Sequence, residues 1–292
     1  MGLFDVTRRN LIRKLGLTGA AGVAGTMTGG MGSVRGTRGN GPVTKTLDFT
    51  KPEDNLIGAI KMHASLEAKD VPHWYYGTIY GLNDGIPPKP LIDLEGSEIS
   101  YFHRNEDGSY RGFSNTISIF RDVETGEVLK TWYNPYTEKT VEVEANYLPV
   151  TGLYYHYSVN GIRVSGTQDM IPDEPLILKW NELGDHTMMS GERKYPPGII
   201  RGEAQAGHGP TVELHDPDLP EVVNAFGAPT YMAAWPKWMG MKDYPGRVIW
   251  SVVARKTKTV EEYPKEFLDI LERDYPEKLS AVPKQEWLET PI

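Results

Sequence analysis

Proton transfer near neutral pH calls for an imidazole, or for a carboxylate or phenol held beside one, and residues 153–159 offer such a pairing. Strand alternation there sets Leu153, Tyr155, Tyr157 and Val159 on one face and Tyr154, His156 and Ser158 on the other. In a barrel one of these faces lines the lumen, which makes His156 and Tyr154 candidates for moving a proton; the competing reading is a polar face turned to water. Tyr76 is a candidate phenol donor and Arg163 a candidate stabiliser of a developing anion. Trp74, Tyr76 and Tyr80 share one face of another strand. With Trp132, Trp180 and Trp250 they are candidates for a stacking wall that binds an apolar or aromatic molecule, although large rings also fill barrel interiors for packing alone. Trp235-Pro236-Lys237-Trp238-Met239-Gly240-Met241 cannot form a regular element with one buried face. Trp235 and Trp238 therefore belong to a loop that either covers a barrel mouth and touches ligand or acts as a buried clasp.

Several chemistries are excluded. The 292 residues contain no cysteine, so there is no disulfide, thiolate nucleophile or thiolate-bound metal. Seven histidines are scattered without ligand spacing; His208 and His215, the latter near Asp216 and Asp218, sit among Gly-Pro and Asp-Pro steps that mark a solvated loop. No nucleophile elbow, His-Glu-x-x-His or phosphate loop is present, and the glycines of residues 36–41 follow no strand. Neither a metal nor a cofactor is expected.

Charge is segregated. Residues 1–40 carry Arg8, Arg9, Arg13, Lys14, Arg35 and Arg38 against Asp5; removing these from the chain's 31 bases and 39 acids leaves 25 against 38, a net charge of −13 for the body. Such a body repels a phosphate backbone, so no nucleic-acid partner is expected. Thr7-Arg8-Arg9-Asn10-Leu11-Ile12-Arg13 matches the twin-arginine export pattern, and the uncharged run 15–31 is too rich in Gly, Ala and Thr to make a good spanning helix. Residues 1–32 read as a signal for the twin-arginine translocase, 33–47 as a flexible linker and 48–292 as one domain, placed in the periplasm or otherwise exported. Small-x-small steps such as Gly22-Val23-Ala24 mark the cleavage site poorly, and an uncleaved leader would tether the body to the membrane.

The elements that must position these side chains are mostly strands. Helical spacing of Leu56, Ile57, Ile60 and Leu66 predicts a helix within 48–69, with Asp54 as its N-cap. From Trp74 the period changes to two, with strands at 90–104 and 112–121, hairpins closed at 122–126 and 134–137, and a turn at Asn160-Gly161 between 153–159 and 162–169. Further strands are predicted at 176–183, 186–193, 199–205 and 247–256, then an amphipathic helix through Phe267, Leu268, Ile270 and Leu271 that lies on the barrel as a lid or plug. A meander of this length must close or fold over to hide its edges. The predicted architecture is mainly β: a single antiparallel, lipocalin-like barrel with one N-terminal and one C-terminal helix, its rival being a two-layer sandwich.

Pro52-Glu53-Asp54-Asn55, Trp74-Tyr75-Tyr76-Gly77-Thr78, the 122–126 turn followed by Trp132-Tyr133-Asn134-Pro135-Tyr136-Thr137, and the Trp-Met run ending at Met241 resemble the bacterial family called domain of unknown function 1838. The resemblance spans residue 48 to the C-terminus. It implies a single domain, often behind a twin-arginine leader, and it assigns no catalytic residue. The residues themselves support a barrel that binds an apolar or aromatic small molecule; the alternative is a cofactor-independent lyase or isomerase acting on an aromatic or terpenoid-like substrate.

Overall fold

In the computed structural model the described residues are 46–83, 85–147, 153–159, 161–165, 178–193 and 201–281. Residues 44–292 form one compact unit; the leader and most of the linker lie outside the described residues.

Helix α1, Pro52–His63, starts with Pro52 in its first turn, where a missing N–H costs nothing. Its N-cap is Lys51, not Asp54, whose Oδ2 instead accepts from the Asp48 amide at 2.9 Å. Ala64 closes it with an N–H to Ile60 O bond. Strand β1, Asp70–Asn83, begins four residues earlier than the alternation indicated and runs into β2, Ile86–Arg104, and β3, Tyr110–Arg121. The predicted turns form as expected: Gly108 and Gly126 both hold positive φ, and Asp122 Oδ1 accepts from the Glu124 and Thr125 amides.

After β3 the chain leaves the sheet for a separate hairpin, β4, Thr131–Asn134, with β5, Lys139–Glu142. Asn134 builds its turn by accepting from the Tyr136 and Thr137 amides through Oδ1. The chain then returns through β6, Asn146–Tyr147, β7, Leu153–Ser158, and β8, Gly161–Ser165. The second half contributes β9, Lys179–Leu183, β10, His186–Arg193, and β11, Arg201–Pro210. A one-turn helix α2, Thr211–His215, and the short strands β12, Phe226–Gly227, and β13, Thr230–Ala233, precede β14, Arg247–Lys256. Helix α3, Lys265–Asp274, follows.

The strand order is β8-β7-β3-β2-β1-β14-β12-β11-β10-β9, with β13 also bridging β11 and β14 and β6 pairing with β3. All pairings are antiparallel, and the first and last long strands are neighbours over ten residue pairs, from His73 opposite Lys256 to Leu82 opposite Arg247. The meander therefore returns on itself. The mainly β, antiparallel, barrel-like expectation holds, and the two ends of the order are the mid-chain strands β8 and β9.

Register assigns the faces. Val71, His73, Tyr75, Gly77 and Ile79 share a side with Leu94, Gly96, Glu98 and Ser100 on β2 and with Val252, Ala254 and Lys256 on β14. At one end of this inner side Ile79, Ile92, Leu94, Phe120, Val248 and Val252 pack against Trp132, Met239 and Met241. At the other, Leu56, Ile60 and Ala64 of α1 pack against Phe102, Tyr110 and Tyr157. Helix α3 does not plug a mouth. Its Glu266 reaches Arg121, which stands on the opposite, outer side of the sheet.

Candidate functional site

Between the two packed ends the inner face is polar. Glu98 Oε1 accepts from Ser114 Oγ at 2.7 Å and Ser100 Oγ at 3.0 Å, and pairs with His63 Nε2 at 3.1 Å. Helix α1 delivers His63 from its last turn, and β1 delivers His73, whose register partner is Glu98. The two imidazoles stack with centroids 5.6 Å apart. Among the described residues no donor reaches Glu98 Oε2.

Burial works against both charged forms here. It would raise Glu98, but the neighbouring His63, His73 and the Ser114 hydroxyl outweigh it and hold the carboxyl down to about 2. For His73 burial dominates and His63 reinforces it, pushing the imidazole down to about 3, so the ring is neutral at physiological pH. Its Nδ1 is enclosed without a hydrogen bond. Tyr75 is raised by burial, and its hydroxyl donates to Ile117 O at 2.8 Å.

These groups sit deep, yet they are not sealed. Glu98 keeps 24% of its side chain accessible and His63 36%, and His73 and Tyr75 are also partly accessible. Burial thus bears on the titration of Glu98 and His73 although part of each surface stays accessible. The glycines here are filled by their neighbours: a Cβ on Gly96 would fall 2.3 Å from the Tyr75 ring, and one on Gly77 2.2 Å from Ser251 O, so both positions permit close packing.

The buried lysines beside this polar cluster are structural. Lys256 Nζ donates to Lys61 O and Ala64 O, closing the last turn of α1, and pairs with Glu221 at 3.2 Å. Lys61 Nζ does the same for α2, reaching the carbonyls of Glu213, Leu214 and Asp216 at 2.6–3.0 Å. Burial pushes both ammonium groups down to about 8.

The residues singled out from sequence lie elsewhere. His156 has the parity opposite to Tyr157, which packs inward, so it stands on the outer side; its Nε2 meets Ser109 Oγ at 3.1 Å beside the 105–109 turn. Tyr154 and Arg163 follow the same parity, opposite Ser165 and His156 respectively, and their side chains lie outside the described residues. Tyr76 is also on the outer side. Its hydroxyl donates to Asp93, and burial together with that bond raises it, which opposes release of the proton. Trp74 donates from Nε1 to Glu95 at 3.0 Å on that outer side, and Tyr80 shares its parity. Trp132, Trp235 and Trp238 pack at the closed end with Phe120, Tyr136 and Trp250, while Trp180 stacks on Phe49 at 4.3 Å in a different region. The indoles therefore do not form one stacking wall.

Sequence reasoning passed over His63, His73 and Glu98. The glycines of that face gave no signal of a site: Gly77 and Gly81 share the parity of His73, but a Cβ there would fall 2.2 Å from Ser251 O and 2.3 Å from Tyr136 Oη, so they mark close packing. Among the described residues no group of three His, Asp or Glu side chains is placed to hold a metal ion.

No curated protein matches the chain. Among solved structures it is similar to Ail, the attachment invasion locus protein of Yersinia pestis, at 9% identity and a TM-score of 0.18, covering 65% of this chain and 98% of that one. Likeness at that level bears on neither ligand nor mechanism. Residues 68–182, the span that carries His73, Tyr75 and Glu98, match the family described as Protein of unknown function (DUF1838), the family the sequence resembles.

Proposed function

We propose that the body is an exported binding protein, sent out by the twin-arginine route, whose ligand is a largely apolar or aromatic small molecule seated in a hollow at Glu98, between α1 and the Trp132–Met239 end. The observation that supports this most directly is Glu98: an ionised carboxylate, partly accessible, with one oxygen bonded by Ser100, Ser114 and His63 and the other without a donor among the described residues. A carboxylate kept in that state between two apolar ends recognises a ligand that brings one hydrogen-bond donor on an apolar frame.

Small molecules released by denaturing the purified protein, identified by mass spectrometry, test this reading. The wild type should release a defined occupant, and Glu98→Gln, with its fold verified by circular dichroism, should release much less. If neither protein releases anything and neither enhances the fluorescence of 8-anilinonaphthalene-1-sulfonate, the proposal fails.

The His63–Glu98 contact favours a second reading, a cofactor-independent lyase or isomerase. With Nε2–H donated to the carboxylate, His63 presents Nδ1 as a base. His63→Gln should then leave occupant binding intact while abolishing turnover of that occupant; turnover that survives the substitution excludes this reading.

A further inference from the structure

A groove of about 900 Å³ lies on another part of the molecule, between the segment 46–50, strand β9 and helix α2. Its wall is aromatic. Phe49 stacks on Trp180 with centroids 4.3 Å apart, and the His215 ring lies against Phe49 at 4.6 Å. Its charged lining consists of Asp48, Glu182 and Asp216 together with His215, and includes neither lysine nor arginine.

These carboxylates are unequally compensated. Lys51 pairs with Asp48 at 3.4 Å, and the buried Lys61 Nζ sits at the Asp216 carbonyl, 2.6 Å away. Among the described residues Glu182, two-thirds exposed, is paired with His215 Nε2 alone, at 3.5 Å. His215 Nδ1 donates to the Leu47 carbonyl at 2.9 Å, which holds the ring in place on Phe49.

We propose that this groove is a second ligand site, distinct from the hollow, that takes an organic cation such as a quaternary ammonium. An aromatic wall beside an exposed carboxylate, with no lysine or arginine in the lining, attracts a weakly hydrated cation through Glu182 and lets its apolar groups rest on the rings. An apolar neutral molecule of the same shape gains only the contact area.

Calorimetric titration of the full chain with choline chloride and with its neutral isostere 3,3-dimethylbutan-1-ol separates the two cases. Choline should saturate the site and bind about tenfold or more tightly than the isostere. Its affinity should fall as ionic strength rises. Trp180→Leu and Glu182→Gln should each weaken choline several-fold, whereas Glu98→Gln, in the hollow, should leave it unchanged. Glu182 is on the surface, so Glu182→Gln keeps the test decisive even if Trp180→Leu does not fold. Equal binding of the two probes, no saturable heat with choline, or choline binding unaffected by Glu182→Gln overturns the assignment.

Discussion

His73→Leu should remove an acid-sensitive component of folding. In the unfolded chain an imidazole takes up its proton as the pH falls through about 6.5. In the folded protein burial and the adjacent His63 hold His73 unprotonated down to about 3. Between those two values the unfolded state binds more protons, so stability is fully present above pH 6.5 and is lost as the pH falls toward 3. At pH 5 the imbalance amounts to about 1.5 pH units, or about 2 kcal/mol relative to pH 7. Partial access of the ring to water makes that figure the upper end. Glu98 acts in the same direction but lower, between its unfolded range near 4.5 and about 2, and so contributes little above pH 5. Urea unfolding followed by tryptophan fluorescence at pH 7, 6 and 5 reads the effect. Wild type should lose about 2 kcal/mol more than His73→Leu across that range, with unchanged denaturant slopes. Equal losses in the two proteins, or an imidazole resonance for His73 that titrates near 6.5, would refute the reasoning.

Arg121→Leu should be among the most damaging substitutions outside the hollow. Arg121 is 5% exposed and bonds Glu95 Oε2 at 2.7 Å and the Gly126 carbonyl at 3.0 Å, so its loss strands a buried carboxylate at about 3–5 kcal/mol. Adding Glu95→Leu should restore most of the urea midpoint, because it removes the stranded charge. Exposed Glu266 adds little to the balance. Asn134→Ala should cost about 1–3 kcal/mol, because the side chain accepts from the Tyr136 amide and donates to the Met239 carbonyl at 2.8 Å each. The accompanying signature is a weakened near-ultraviolet dichroism band, since that bond fastens the Trp132–Trp238 end of the barrel.

The Asn134 arrangement shows why motifs were easier to find than to interpret. Asn134-Pro135-Tyr136-Thr137 and Trp235–Met241 stand out in the sequence, and the structure joins them through one bond from Asn134 Nδ2 to Met239 O. Together they pack at one end of the inner face, where Trp235 and Trp238 lie partly buried against the core. His156 illustrates the opposite failure. Its alternation with Tyr155 and Tyr157 was legible, but the choice of face depends on where the α1 residues Leu56 and Ile60 pack, and they pack on the side of Tyr157.

Short-range chemistry was settled by the chain itself: period-two alternation, the glycines at 108 and 126 that take positive φ, the proline that opens α1, and the absence of cysteine. Each depends on residues a few positions apart. The polar cluster depends on pairings across the whole length, with Lys256 beside His73, Glu98 opposite it and His63 delivered from a helix. A slip of one residue in any of those registers would turn its side chains to the other face, and no local pattern records the register between the first strand and the last. Only the packing of apolar residues at both ends decides it, and that packing leaves the polar groups between them.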